Sequence, residues 1–253
     1  MQHIYVIYMP QRELYIRNVF KNIGIDPIFF PAVNGANLPS LDYLYRHKYL
    51  GYKFLKKKLV NEGFPNMDLH TFEHDVKNTH YINTAIKGVL ALQLSYILVF
   101  EHFLSRNVTG HCFIFEDDII YQPPKLWKQR LSNIITRELP HDYDIVNLGR
   151  CFDNCTKNKY YSDNLVISTY PFCTHSCGYS IGIMKYIMNN VLPMNEPCDM
   201  SLRKLYNGPK FKGFSASPPI FFQNKEFVSL LGNPRVMPEC SEEKKITNKK
   251  GRK

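Results

Sequence analysis

The stretch Cys112-Phe113-Ile114-Phe115-Glu116-Asp117-Asp118 runs from four apolar residues straight into three carboxylates. The apolar run predicts a strand buried inside a sheet, and the triplet behind it predicts that this strand delivers its carboxylates to the sheet edge. A divalent cation that bridges phosphates takes hard oxygen ligands, and carboxylates at alternating positions of a strand end can converge on one. A solvated acidic turn is the reading that the triplet alone leaves open.

Upstream, residues 3–8 alternate and are rich in aromatic and β-branched side chains, and Pro10 breaks that strand ahead of a helical pattern over 11–22. Gly24 supplies the helix stop, and residues 27–33 predict a second strand closed by the turn pair Asn34-Gly35. This is a parallel β-α-β unit, whose loops gather at the carboxyl ends of strands, where open α/β sheets bind nucleotides. Residues 38–83 predict short helices with a loop near 63–66, and residues 84–104 a long helix, apolar on most sides, that packs under the sheet. Its most apolar part, 89–100, is too short to span a bilayer.

Downstream, Pro123-Pro124 separates the acidic strand from a helix predicted over 126–139. Residues 144–149, 165–170 and 178–183 are strand candidates, and 184–191 a further helix. The whole predicts one α/β domain over 1–238 and a basic, disordered tail over 239–253.

The chain has 253 residues, 44% of them hydrophobic and 14% aromatic, which excludes a disordered body and predicts an aromatic core. Of the formal net charge of +10, the tail from Glu239 carries +3 and the body +7. A second basic cluster, Arg46-His47-Lys48 followed by residues 53–59, either is a solvated helix face or steers anions or touches a membrane surface. Met1-Gln2-His3 leads into the first strand with no basic n-region and no cleavage site, which predicts a cytoplasmic chain with at most peripheral membrane contact. The seven cysteines include the pairs Cys151/Cys155 and Cys173/Cys177, and free core thiols are the expectation over a zinc site or a disulfide. The sequons at Asn107 and Asn154 then have no use.

In their order and spacing these segments resemble glycosyltransferase family 25, which includes lipooligosaccharide glycosyltransferases and collagen galactosyltransferases. Tyr5-Val6-Ile7-Tyr8-Met9-Pro10-Gln11-Arg12 is similar to the family's first strand and its arginine loop, and Phe30-Pro31-Ala32-Val33-Asn34-Gly35 to its A-V-[DN]-G turn. Residues 88–96 stand where the family carries G-x-x-G-C-x-x-S-H, with Ala91, Leu92 and Tyr96 in place of the second Gly, the Cys and the His, while Ser95 is kept. Residues 113–119 resemble its acidic motif, 144–149 its D-hydrophobic-hydrophobic-x-L-G strand, and 174–181 and Pro197-Cys198-Asp199 its later T-x-x-Y and P-x-D elements.

The resemblance implies a GT-A-like (Rossmann-like) mixed sheet flanked by helices. It implies an inverting glycosyltransferase that moves a hexose, galactose or glucose first, from a UDP-sugar to a hydroxyl on a glycan, lipooligosaccharide or protein. Glu116 and Asp118 would hold Mn2+ or Mg2+, and Asp117 would bind the ribose or stay structural. Pro10, Arg12, Asn34, Gly35 and Ser95 would seat the nucleotide. Asp199 is the first candidate for the general base, Asp153 the second, and His175 a candidate acceptor-site residue. The last histidine being His175, a metal-binding His near the C-terminus is missing, and water can complete the shell. A metal-dependent nuclease and a non-catalytic sugar-nucleotide-binding module are the competing readings. The nuclease needs a lysine close behind the carboxylates, but Lys125 follows Pro123-Pro124 and the other basic residues do not interleave with the motif, so no specific nucleic-acid partner is expected.

Overall fold

The computed structural model describes residues 2–64, 76–121, 124–151, 153–169, 171–206, 210–224 and 226–227. The expected tail at 239–253, residues 65–66 of the predicted loop and Tyr170 of a predicted strand lie outside them.

β1 (Gln2–Tyr8) is followed by a short 3-10 turn (Pro10–Arg12), α1 (Glu13–Ile23) and β2 (Ile28–Pro31). Gly24 ends α1 at φ 77°, a left-handed conformation that only glycine adopts at little steric cost. β1 and β2 pair in parallel, as the β-α-β pattern predicts. α2 (Leu41–Arg46), α3 (Tyr52–Asn61) and the long α4 (Val76–Ser105) come next, then β3 (His111–Glu116) and β4 (Ile119–Tyr121). α5 (Pro124–Asn133) continues as a π-helical turn to Glu138, and β5 (Ile145–Asn147), β6 (Lys159–Tyr160), β7 (Leu165–Ile167) and β8 (Ser176–Tyr179) follow. α6 (Ile181–Asn190), α7 (Cys198–Tyr206), β9 (Gly213–Ala216) and β10 (Phe221–Gln223) complete the fold.

Eight strands form one mixed sheet in the order β2-β1-β3-β8-β5-β9-β7-β6, while β4 and β10 pair separately as an antiparallel ribbon. The period-2 alternation of the strands divides the core. Tyr5, Ile7 and Ile114 pack with Tyr96, Phe100 and Phe103 of α4 and with α6 and α7. Val6, Phe113 and Phe115 face the other way, against Phe20 of α1 and Trp127 of α5. A third cluster joins α2 and α3 to the first half of α4 through Leu44, Phe54, Ile86 and Met194. The architecture is the expected Rossmann-like α/β sheet with helices on both faces, and its core is aromatic as composition predicts.

Several expectations are corrected. The predicted strand over 178–183 stops at Tyr179, because the Ser180 side chain caps α6 by accepting from the Ile183 N–H. The long helix extends well beyond 84–104, and its stretch His80–Ser105 is long and apolar enough to cross a membrane by length and composition. Half of its most apolar window is nevertheless buried against the sheet and the other helices. The short strands β6, β9 and β10 carry too little periodicity to be seen in the sequence.

Gly149, just past β5, lies where the acidic edge and the β4-β10 ribbon meet. A Cβ there would fall 2.3 Å from His175 Nε2 and from Ser176 Oγ, and 2.8 Å from the Phe221 carbonyl. Gly149→Ala is therefore expected to cost about 1–3 kcal/mol, as overpacking does, read as a lower denaturant midpoint with unchanged slope. An unchanged midpoint would show that these segments can part freely.

Candidate active site

The parallel register that sets Ile7 opposite Glu116 brings the loop after β1 against the turn after β3. Within that contact the three carboxylates are sorted by their surroundings. Asp117 is consumed by β1's loop: the Met9 N–H donates to its Oδ2 at 2.7 Å and Arg12 Nη1 to its Oδ1 at 2.8 Å. Both partners of this ion pair are buried, and the Arg12 guanidinium also lies 4.7 Å from the centre of the Phe227 ring.

Glu116, on the last position of β3, turns inward. The Thr174 hydroxyl donates to its Oε1 at 2.9 Å, and the Tyr96 hydroxyl lies 3.0 Å from the same oxygen and 2.8 Å from the Thr174 carbonyl. Tyr96 has one proton to give, so both of its contacts are satisfied when it donates to the carbonyl and a protonated Glu116 donates to it. Burial, then the charge of Asp118, pushes the Glu116 carboxyl up to about 8, which agrees with that arrangement.

Asp118 differs from both. Among the described residues its buried Oδ1 has no hydrogen-bond partner, and its Oδ2 has Gln223 Nε2 at 3.4 Å and Arg12 Nη1 at 4.0 Å. Burial and the neighbouring Asp117 raise its carboxyl to about 6, with Arg12 pulling the other way. An under-coordinated buried carboxylate is costly unless something positive meets it. Its oxygen chemistry fits a divalent cation, whereas Asp117 is fully engaged and Glu116 would first have to lose a proton.

Asp199 belongs to the same neighbourhood through one residue. Its Oδ1 accepts from the Met200 N–H at 2.8 Å, and burial raises its pKa against the pull of the Met200 and Cys173 N–H groups. It sits in the first turn of α7 and not in the loop the sequence predicts. Cys173 adopts φ 67°, its carbonyl accepts from Asn147 Nδ2 at 2.8 Å, and the residue after it is the Thr174 that holds Glu116. Cys173 is also joined to Cys151 by a disulfide, which corrects the expectation of free thiols at these two positions. Cys112, Cys177 and Cys198 are buried free thiols, as expected. Cys151, Cys173 and His175 present ligand atoms within 4.8 Å of one another, but the two sulfurs are bonded together.

The other predicted residues fall into supporting positions. Asp153 is 3% exposed and bound to Arg150, the Ser168 hydroxyl, Asn158 Nδ2 and the Asn154 N–H, so it ties down the loop after β5. His175 is 1% exposed, with burial lowering its pKa to about 4, and its Nε2 lies 3.5 Å from the Phe221 carbonyl. Asn34 accepts from the Ala36 N–H and starts a 3-10 turn at Gly35. A Cβ on Gly35 would lie 3.0 Å from the backbone of Gly88, so this turn rides directly on α4. Ser95 accepts from the Val33 N–H at 2.9 Å and braces it. Pro10 opens the turn that carries Arg12.

Sequence reasoning passes over Gln223, Asn224 and Phe227. Asn224 donates its N–H to the Asp118 carbonyl at 2.6 Å, so the segment after β10 closes over the acidic turn. No local signal marks these residues, because the pairing of β4 with β10 spans about a hundred positions.

The structure thus defines a Rossmann-like chain that gathers carboxylates in graded environments at the edge of its sheet. The profile of glycosyltransferase family 25 (LPS biosynthesis protein) matches residues 1–199, and the chain belongs to this family. The Aedes aegypti protein named glycosyltransferase 25 family member is 24% identical over 245 residues, a match covering 93% of this chain and 35% of that protein. The chain therefore spans about a third of that relative's length. Among solved structures, the crystal structure of A197 from STIV is similar over 94% of this chain and 97% of that one, at 9% identity and a TM-score of 0.39.

The raised pKa of Glu116 has a consequence for stability. In the folded chain the group keeps its proton up to about pH 8, whereas unfolded it ionises at its ordinary value of 4.5, so the folded state binds more protons across that window. Stability must then fall as the pH rises through it. Above 6.5, the ordinary value of an imidazole, His175 is largely neutral whether the chain is folded or unfolded and adds little slope. Without added metal, the denaturant midpoint is expected to drop from there to about pH 8 and to flatten in Glu116→Gln. An equal drop in the variant would move the effect to another group.

Proposed function

We propose that this chain is an inverting, metal-dependent glycosyltransferase that moves a hexose, galactose or glucose first, from a UDP-sugar to a hydroxyl on a glycan, lipooligosaccharide or protein. The observation that carries the reading is the buried Oδ1 of Asp118, without a hydrogen-bond partner among the described residues, beside Arg12 at the carboxyl edge of the sheet. Asp118, with Glu116 once deprotonated, would hold Mn2+ or Mg2+ there. When bound, such an ion supplies the positive charge that stabilises a departing diphosphate.

The protein's own contribution is positioning. Asp117 and Met9 fix Arg12 and its loop, so that Pro10, Arg12 and the Asn34-Gly35 turn form the wall on which a nucleotide rests, with Ser95 bracing that turn from α4. Inversion is a direct displacement and needs a base at the acceptor hydroxyl. We assign that role to Asp199: burial raises its proton affinity, while the Met200 N–H holds its orientation. Asp153 is less suited, since its carboxylate is spent on Arg150 and its neighbours. His175 is enclosed and forms the wall behind the site instead of touching an acceptor. As to compartment, the Cys151–Cys173 disulfide supports a setting in which thiols oxidise, in place of the cytoplasmic expectation.

The test is a screen of nucleotide sugars with Mn2+ for slow donor hydrolysis without acceptor, which reports base and sugar together. Asp118→Ala is expected to lower hydrolysis by on the order of a hundredfold or more, as loss of a group stabilising transition-state charge does. Asp199→Asn is expected to bind donor normally and lose transfer. Hydrolysis of no donor by the intact protein, or full activity in Asp118→Ala, would end the proposal.

A further inference from the structure

The connection from α2 into α3 builds a surface that the sugar-transfer site does not use. Leu41, Leu44, Leu50, Phe54, Leu55 and Leu59 are buried against α4 and Met194, which fixes the opposite face outward. That outward face carries Arg46, Lys48, Lys53, Lys56, Lys57 and Lys58, with no acidic residue between positions 43 and 61. Arg46 is paired with Asp42, and among the described residues the five lysines make no ion pair. Interleaved with them, Tyr43, Tyr45, Tyr49 and Tyr52 are 37–59% exposed.

A helix face that needs only to stay in water carries acids among its bases and forms i,i+4 pairs, with few large rings. Here a one-signed charge is combined with amphipathic rings, each with an apolar body and a hydroxyl. That is the chemistry of the headgroup layer of an anionic bilayer, where tyrosine settles and lysine is drawn by surface potential. A single-stranded nucleic acid would also welcome the charge, but it needs open ring faces to stack on. Tyr43 is already stacked on His47 with ring centres 3.8 Å apart, and the Lys56 ammonium sits 5.7 Å over the Tyr52 ring. The surface is also the outside of two helices, suited to a broad plane.

We infer that the α2–α3 face docks this protein peripherally on an anionic membrane surface. The inference stands apart from the sugar-transfer reading and survives its failure. It places the protein beside a lipid surface through five lysines and four tyrosines, without insertion of α4.

The experiment is co-sedimentation of the full chain with vesicles of phosphatidylcholine alone or mixed with phosphatidylglycerol. Binding is expected only to the mixed vesicles and is expected to weaken with salt. Replacing Lys56, Lys57 and Lys58 by Gln should lower the partition coefficient by roughly tenfold or more. Tyr49→Ser with Tyr52→Ser should remove the part of binding that resists salt. Gln at Lys249, Lys250, Arg252 and Lys253, outside the patch, should leave most of the binding intact. These substitutions lie on the surface or in the terminal segment, and an unchanged far-UV spectrum certifies each fold. The inference is overturned if the wild type ignores the mixed vesicles, if the lysine or tyrosine variants bind like wild type, or if the terminal variant alone abolishes binding. It is equally overturned if a single-stranded oligonucleotide is held as tightly as the vesicles.

Discussion

The buried pair between Arg12 and Asp117 is the constraint on which the site depends. Parallel pairing of β1 with β3 sets the two strand ends side by side, and the Met9 N–H together with the Arg12 guanidinium absorbs the middle carboxylate of the triplet. Stripped of one partner, such a pair leaves a buried charge uncompensated, at a cost of about 3–5 kcal/mol. Its structural value lies less in net stability than in register: with Asp117 held, Glu116 meets Tyr96 and Thr174 while Asp118 remains beside Gln223.

One tripeptide thereby yields three different carboxyl groups. Asp117 is an anchored ion-pair partner, Glu116 a largely protonated member of a Tyr96–Thr174 network, and Asp118 an ionisable group with an unused oxygen. Environment and not residue type divides the labour. Cys173 extends the same logic to the second half of the chain. Its carbonyl meets Asn147 and its sulfur Cys151, while its neighbour Thr174 holds Glu116. Tyr96, standing where the family has a histidine, still delivers a polar group to this network.

What was legible in the sequence was local. The run from Cys112 to Phe115, the Pro10 break and the Gly24 stop each act within a few residues, and β1, α1, β2 and β3 follow from them. Family motifs extended that reach to Arg12, Asp118 and Asp199, of which the fold brings Arg12 and Asp118 together. Pairings between distant segments stayed hidden. Gln223 and Asn224 meet the acidic turn only because β10 pairs with β4, and the Cys151–Cys173 bond joins residues 22 apart that do not form the suggestive three-residue spacings. Asp153 is a candidate base from its place in the loop after Gly149, and only the fold shows it enclosed with Arg150.

The central claim is that Asp118 holds a cation that meets a nucleotide's diphosphate. The most direct measurement is anomalous diffraction from crystals soaked with manganese and uridine diphosphate. The account requires a manganese peak within coordination distance of the Asp118 carboxylate and touching the diphosphate oxygens. Clear nucleotide density with no peak at Asp118, or a peak held elsewhere in the chain, would contradict it.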